Sequence, residues 1–482
     1  MVPVRIRPTI PVLLGILGWM RLSGVLAQPA AGPQAAASIA DAAPLAGAQL
    51  PALAFEKYRL ANGLEVILHS DHSLPLVAVN LWYHVGPANE PAGRSGFAHL
   101  FEHLMFEGSK HVGKRFDPLL ESAGATNSNA TTSWDRTNYF ETVPREHLEL
   151  ALWLESDRMG FMVESLTKQR FHVQRNVVLN ERRQSYENSP YGPSTLALLD
   201  ALFPPGHPYH GAIIGSVADL RAATLQDVRD FFTAFYAPGN ATLVLAGDFD
   251  SNAARRMIER YFGTLPPRVT PRRARQVTPP LAAARRQRVN EPVELAKVSM
   301  AWIAPPAYSP TDLPLDLAMA ILAQGKATRL YRSLVVEQRV ASGVDAALDS
   351  NDLCSIALLS ATVASGKTVQ GLEKSIGQVL AELATNGPTD AELIRAKRQR
   401  LVDIASELQE LNGPGGDSGR AGLLQRFNHY LGDPGYLETY LRQLQSVSNE
   451  DVRRAVQQVL KPDSRAVVIT EPTPGDSTGG KR

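Results

Sequence analysis

The chain has 482 residues, 44% of them hydrophobic and 20% charged, which is too long for one ordinary domain and too apolar for a disordered protein. Lys plus Arg number 49 against 48 for Asp plus Glu, so there is no broad basic field to attract nucleic acid. The single cysteine, Cys354, excludes an intrachain disulfide framework, a Cys-rich zinc site and a CxxC redox centre, and any metal must be held by His, Asp or Glu.

Residues 1–27 read as an export signal. Arg5 and Arg7 open it, residues 10–20 form a short apolar run, and Val25-Leu26-Ala27 offers a cleavage site. The run is shorter than the ~20 residues of a bilayer span, and a retained anchor is the alternative. Cleavage removes three Arg and no acid, leaving 46 basic against 48 acidic residues and a charge of −2. The mature chain is expected in a bacterial periplasm, without stable membrane insertion.

Residues 28–50, rich in Ala, Pro and Gly, read as a flexible leader. A first domain follows over 51–265. Its residues 64–84 predict two strands broken by a turn at Asp71-His72-Ser73. Apolar spacing through Leu148, Ala151, Leu152 and Leu154 predicts a helix over 144–161, and Val173, Val177 and Val178 mark the apolar stripe of another over 171–188. Five prolines and four arginines within 265–281 then mark a linker over 266–285. A second domain covers 286–470, and 471–482 reads as a disordered tail.

The halves repeat each other. Asp227-Val228-Arg229 recurs as Asp451-Val452-Arg453, Pro238 as Pro462, and Leu243-Val244-Leu245 as Val467-Val468-Ile469, all at an offset of 224. Trp82 pairs with Trp302, and Gly108 with Gly325, at slightly smaller offsets. A tandem duplication of one α+β domain, each copy an α/β sandwich, accounts for this.

The sharpest chemical signal is His99-Leu100-Phe101-Glu102-His103. On a helix over 95–108, His99 and His103 stand one turn apart and both imidazoles reach one metal ion. Glu102, at the edge of that face, can take a proton from a metal-activated water instead of binding the metal. This is the inverted form of the HExxH zinc motif. A third protein ligand is needed, with an open fourth position for chemistry. A carboxylate on a second helix is the natural donor, and 171–188 carries Glu181.

The inverted motif, followed 78 residues after His103 by the Glu of Val178-Leu179-Asn180-Glu181, resembles the pitrilysin/insulinase family of zinc metallopeptidases, and most of all its short two-domain members similar to mitochondrial processing peptidase. The stretches NSNATTSWDRTNY (127–139), LALWLESDRM (150–159) and YAPGNATLVLAGD (236–248) match as well. The resemblance implies that His99, His103 and Glu181 hold Zn2+, that Glu102 is the base, and that the edge strand with Asn129 and Ala130 pairs with an extended peptide substrate. An ordinary solvated hairpin is the plainer reading of that edge.

Two departures stand out. The acid usual seven residues before the zinc-binding Glu is Gln174 here, and the second half places Asp316, Met319 and Ala320 where His99, Glu102 and His103 stand in the first. One metal site per chain follows. The family builds its chamber from four such domains, with an Arg and a Tyr seven residues apart in the second pair. Val335 and Ser342 occupy those places, and Arg329 and Tyr331 have the wrong spacing. The implied partner is a homologous subunit that lacks HxxEH and carries the Arg/Tyr pair, with a homodimer as the alternative. The Gly-rich stretch 412–419 lacks the Lys-Ser/Thr of a phosphate cradle and reads as a flexible surface connection. A zinc-dependent endopeptidase acting on peptides or unfolded segments is the expected function. A non-catalytic peptide-binding scaffold and a different zinc hydrolase are its rivals.

Overall fold

The computed structural model describes residues 52–113, 115–268 and 278–473. The signal, the leader, the middle of the linker and nearly all of the tail lie outside them. The first half runs β1 (Glu56–Arg59), β2 (Glu65–Ser70), β3 (Leu76–Tyr83), α1 (Phe97–Leu104), α2 (Asp117–Ser122), β4 (Thr126–Thr132), β5 (Thr137–Pro144), α3 (Leu148–Ser165), α4 (Lys168–Arg182), α5 (Gly192–Leu202), α6 (Val217–Ala222), α7 (Leu225–Phe235), β6 (Ala241–Gly247) and α8 (Ser251–Phe262). The two strands expected over 64–84 are present but do not pair with each other: the sheet order is β1-β2-β6-β3-β5-β4. β6 slots between them, parallel to β2 and antiparallel to β3. Every residue of β6 is buried, as a strand covered on both faces requires.

The second half runs β7 (Arg285–Glu291), β8 (Lys297–Ala304), α9 (Asp312–Ala323), β9 (Ala341–Asp349), β10 (Ser355–Val363), α10 (Val369–Asn386), α11 (Asp390–Glu407), α12 (Gly419–Leu431), α13 (Leu437–Ser446), α14 (Asn449–Val459) and β11 (Ala466–Pro472). Its sheet order, β7-β11-β8-β10-β9, repeats β2-β6-β3-β5-β4. The repeat reaches the caps: Thr224 and Asp227 form a capping box on α7, and Ser448 and Asp451 form the same box on α14. The tryptophan pairing does not survive. Trp82 lies opposite Thr242 and Ala301 opposite Ala466, so at the β6/β11 offset of 224 the counterpart of Trp82 is Ala301, and Tyr83 is the counterpart of Trp302. A slip of one residue reverses the face of a strand. Accordingly Tyr83 and Trp302 sit in the helix-side cores of their own halves, whereas the Trp82 indole donates to Gly416 O across the other face of the sheet.

That other face joins the halves. From the second half, α12 lays Ala421 and Leu424 on Ile67, Ala78, Val244 and Ala246. In return α5 lays Leu198, Ala201 and Leu202 on Ala301, Ile303, Ala466 and Val468. The Gly-rich stretch before α12 is therefore no solvated connection. Gly415 O accepts from Thr131 and Asn138, Gly416 O accepts from Asn80 and Trp82, and Asn412 O accepts from Asn127. Gly416 has φ +65°, and a Cβ there would collide with Phe140 and Asn138, so only glycine fits. Its composition suggested mobility because glycine serves close packing and flexible turns alike.

Helix ends also moved. The metal-motif helix is shorter than 95–108, and the helix expected over 144–161 starts after a 3-10 turn at Arg145–His147 and continues to Ser165. Among the described residues no helix is long and apolar enough to cross a membrane.

Candidate metal centre

α1 is short and apolar, and its position is set at its N-terminus. Gly96 adopts φ +88° against Ile214 O and Gly215, where a side chain would collide. The Glu90 carboxylate accepts from Gly96 N (2.9 Å) and Ala98 N (2.8 Å), satisfying amide donors that a helix start leaves open. Burial, with the Asp219 charge adding to it, outweighs these amide bonds and pushes the Glu90 carboxyl up to about 7. Further along, the Tyr139 hydroxyl donates to Phe101 O at 2.9 Å. α4 is capped by Thr167, whose hydroxyl accepts from Arg170 N. Its inward face is Phe171, Gln174 and Val178, with Glu181 continuing the same 3.6-residue row. The valine stripe is thus corrected: Val178 is buried, but Val173 and Val177 are 49% and 40% exposed. A polar residue, Gln174, holds the inward place that their hydrophobicity appeared to claim.

Across α1 and α4, His99, His103 and Glu181 present one ligand atom each, all within 4.8 Å of one another. His103 Nε2 lies 3.1 Å from Glu181 Oε2, and His99 Nε2 lies 3.5 Å from Glu181 Oε1. A tetrahedral zinc shell with bonds of about 2.1 Å spaces neighbouring donors about 3.4 Å apart. His103 Nε2 is buried without a hydrogen bond, which costs free energy unless something else takes its lone pair or proton. Two imidazoles and a carboxylate suit zinc in both chemistry and spacing. Burial lowers the His99 pKa, favouring the neutral imidazole that a metal needs. Burial acts the same way on His103, but Glu181 and Glu102 outweigh it and raise the pKa. For Glu181, the two histidines outweigh burial and hold the carboxyl low.

Glu102 stands beside this cluster, its Oε2 4.0 Å from His99 Nε2, and accepts a 2.7 Å hydrogen bond from Thr132. Asn129 and Ala130 lie on β4, the edge of the first sheet. The Ala130 side chain is buried in the core, and Ala130 N donates to Asn129 Oδ1 at 2.9 Å. Gln174 Nε2 donates at 2.8 Å to Glu107 Oε1, which also receives Arg115 Nη1 at 3.0 Å. A carboxylate therefore does reach this spot, from beyond the end of α1. Sequence reasoning overlooked Glu107, Glu90 and Thr132. The alternation of β4 could have flagged Thr132, because positions 130 and 132 share a face, but nothing local links Glu90 or Glu107 to the motif.

Two family models match the chain: "Insulinase (Peptidase family M16)" over residues 65–202 and "Peptidase M16 inactive domain" over 222–400. The chain is 29% identical to a zinc protease, PqqE, of Helicobacter pylori over 86% of its own length and 93% of that protein. A crystal structure of a protease from Helicobacter pylori superposes with a TM-score of 0.80 at 28% identity, covering 88% of this chain and 100% of that one. The periplasmic protease PqqL of Escherichia coli shares the fold, with a TM-score of 0.69 at 19% identity, covering 88% of this chain but 48% of PqqL.

Proposed function

The chain belongs to the insulinase family of M16 peptidases, and from that membership we propose that it is a zinc-dependent endopeptidase cleaving peptides or unfolded segments. The observation that carries the reading is the convergence of His99, His103 and Glu181 with a hydrogen-bonded carboxylate, Glu102, at their side. Bound by that triad, zinc supplies Lewis acidity toward the scissile carbonyl and the attacking water. Glu102 takes the proton of the attacking water on its carboxylate and returns it to the departing amine. His99 and His103 hold their imidazoles toward α4, and Glu181 completes the donor set from that helix. β4 offers an open backbone edge, so an extended peptide adds as a strand alongside Asn129 and Ala130, a mode that reads extended shape more than sequence. Compact proteins, whose strands are already paired, are poor substrates on this account.

The scaffold alternative gains no support from the inactive-domain match. That match falls mostly on the second half, whose α9 lacks the ligands. The protein works in the periplasm, supported by its N-terminal signal pattern and by the periplasmic protease that shares its fold. Its partner is a homologous subunit carrying the Arg/Tyr pair. The 48% share of PqqL that this chain covers fits a chamber needing a second such unit. A fluorogenic peptide assay on purified zinc-loaded chain, alone and mixed with such a homologue, tests function and partner together. Cleavage only on mixing supports both. Full activity of the lone chain removes the heterodimer, and zinc binding with no cleavage under either condition removes the peptidase.

A further inference from the structure

Glu102 is anchored from outside the three metal-binding side chains by a single group. Among the described residues, the Thr132 hydroxyl is the one side chain hydrogen-bonded to it, Oγ1 to Oε2 at 2.7 Å, with Thr132 4% and Glu102 7% exposed. A glutamate has three side-chain torsions, and an unanchored carboxylate spends its time over several rotamers. A buried hydroxyl donor removes that freedom, since a hydrogen bond to an ionised acceptor is among the stronger ones. It holds Oε2, which lies 4.0 Å from His99 Nε2.

The placement of Thr132 matters as much as its hydroxyl. It ends β4, two residues beyond Ala130, and faces the interior beside Ala130. Thr131 points to the opposite face, where its hydroxyl meets Gly415 O at 3.1 Å and Asn138 Oδ1 at 2.5 Å, and Arg136 Nη1 donates to it at 2.7 Å. The strand is thereby held from behind by the Gly-rich turn of the second half while its front holds Glu102.

We infer that Thr132 is a positioning residue for Glu102, fixing the carboxylate through the same strand whose edge receives the peptide. The inference rests on the reading of Glu102 as the base and deepens it: strand, substrate and base form one unit, so the carboxylate is set where the bound peptide backbone lies. Among the described residues the Thr132 side chain hydrogen-bonds to Glu102 and to none of the three metal-binding side chains, and it is buried behind the edge strand, so its loss acts on turnover rather than on binding.

The test is Thr132→Val, which keeps shape and removes the hydroxyl, beside Thr132→Ser, which keeps the hydroxyl. Both are measured in the full zinc-loaded chain, with its partner present if the wild type needs one. Misplacement of a reacting group by about 1 Å costs up to ~100-fold, and the expected result is kcat lower by about 10- to 100-fold in Thr132→Val. KM should stay within about twofold of wild type, zinc should remain at one per chain, and Thr132→Ser should recover most of kcat. Wild-type kcat in Thr132→Val, a loss confined to KM, or equal losses in Val and Ser would each overturn the inference. If the Val variant does not fold, Thr132→Ala against Thr132→Ser is read by the same criteria. Glu102→Gln separates the two levels. An active Glu102→Gln refutes the base itself, whereas an inactive Glu102→Gln beside a fully active Thr132→Val refutes Thr132 alone.

Discussion

α1 with α4 in the first half, and α9 with α11 in the second, are the same pair of helices built twice for different ends. The first pair meets through His99, His103 and Glu181. In the second pair Asp316 stands at the place of His99, and its carboxylate lies 3.7 Å from Arg400 Nε on α11. Met319 and Ala320 follow where Glu102 and His103 stand, and α9 buries Leu315, Leu317, Ala318, Met319, Ile321 and Leu322. With the caps Thr167 and Thr389 superposed, Asp403 falls at the place of Glu181 but accepts from its own helix, at Gln399. An apolar contact plus an ion pair holds α9 on α11 without help. The α1/α4 contact instead gathers a buried imidazole nitrogen without a hydrogen bond and a carboxylate around one point, an arrangement that is stable when a cation completes it. The fold tolerates both, so the scaffold does not dictate the site.

The largest way to break the comparison is to make the first half resemble the second. His103→Ala should lose stoichiometric zinc and reduce peptide cleavage by at least ~1,000-fold, because two protein ligands do not hold a catalytic metal; metal analysis beside the peptide assay measures it. Next in size is the seam that keeps β4 in place. Gly416→Ala sets a methyl against Phe140 and Asn138 at positive φ and should cost about 2–4 kcal/mol, read as a lower denaturation midpoint. An unchanged midpoint would mean that the turn can withdraw freely.

A smaller effect belongs to the second half alone. The Arg329 guanidinium makes two 2.7 Å bonds to Glu392. Burial pushes the Glu392 carboxyl up, but Arg329 and the Thr389 amide and hydroxyl outweigh it and hold it at about 2. A carboxyl held below its unfolded value stabilises the fold above about pH 4.5, and that contribution fades as pH falls toward 2. Arg329→Met should therefore cost about 1–3 kcal/mol at pH 7 and markedly less near pH 2.5 in denaturant titrations, with peptide binding unaffected. The smallest change is Val173→Ser: this side chain faces solvent, so stability should move by less than about 0.5 kcal/mol, whereas a true core valine would cost more.

How far the sequence could be read follows from what is local. The motif His99 to His103 depends on helical spacing alone, so it was legible, and the recurrence of Asp227-Val228-Arg229 as Asp451-Val452-Arg453 made the duplicated scaffold visible. Register was not legible. A single-residue slip separates Trp82 from the true counterpart of Trp302, and only the pairing of β3 with β6 and β8 with β11 reveals it. The Gly-rich turn misled because glycine composition is the same in a mobile loop and in a backbone pressed against Phe140. Glu90, Glu107 and Thr132 reach the centre from separate segments, through contacts that exist only after the strands and helices have packed.

The central claim is that the triad holds zinc while Glu102 moves the proton. Glu102→Gln, assayed for zinc by mass spectrometry or atomic absorption and for cleavage of an unstructured peptide, tests it most directly. One zinc per chain with cleavage reduced by at least ~100-fold is the predicted result, in keeping with the usual contribution of a general base. Wild-type cleavage by this variant would contradict the account.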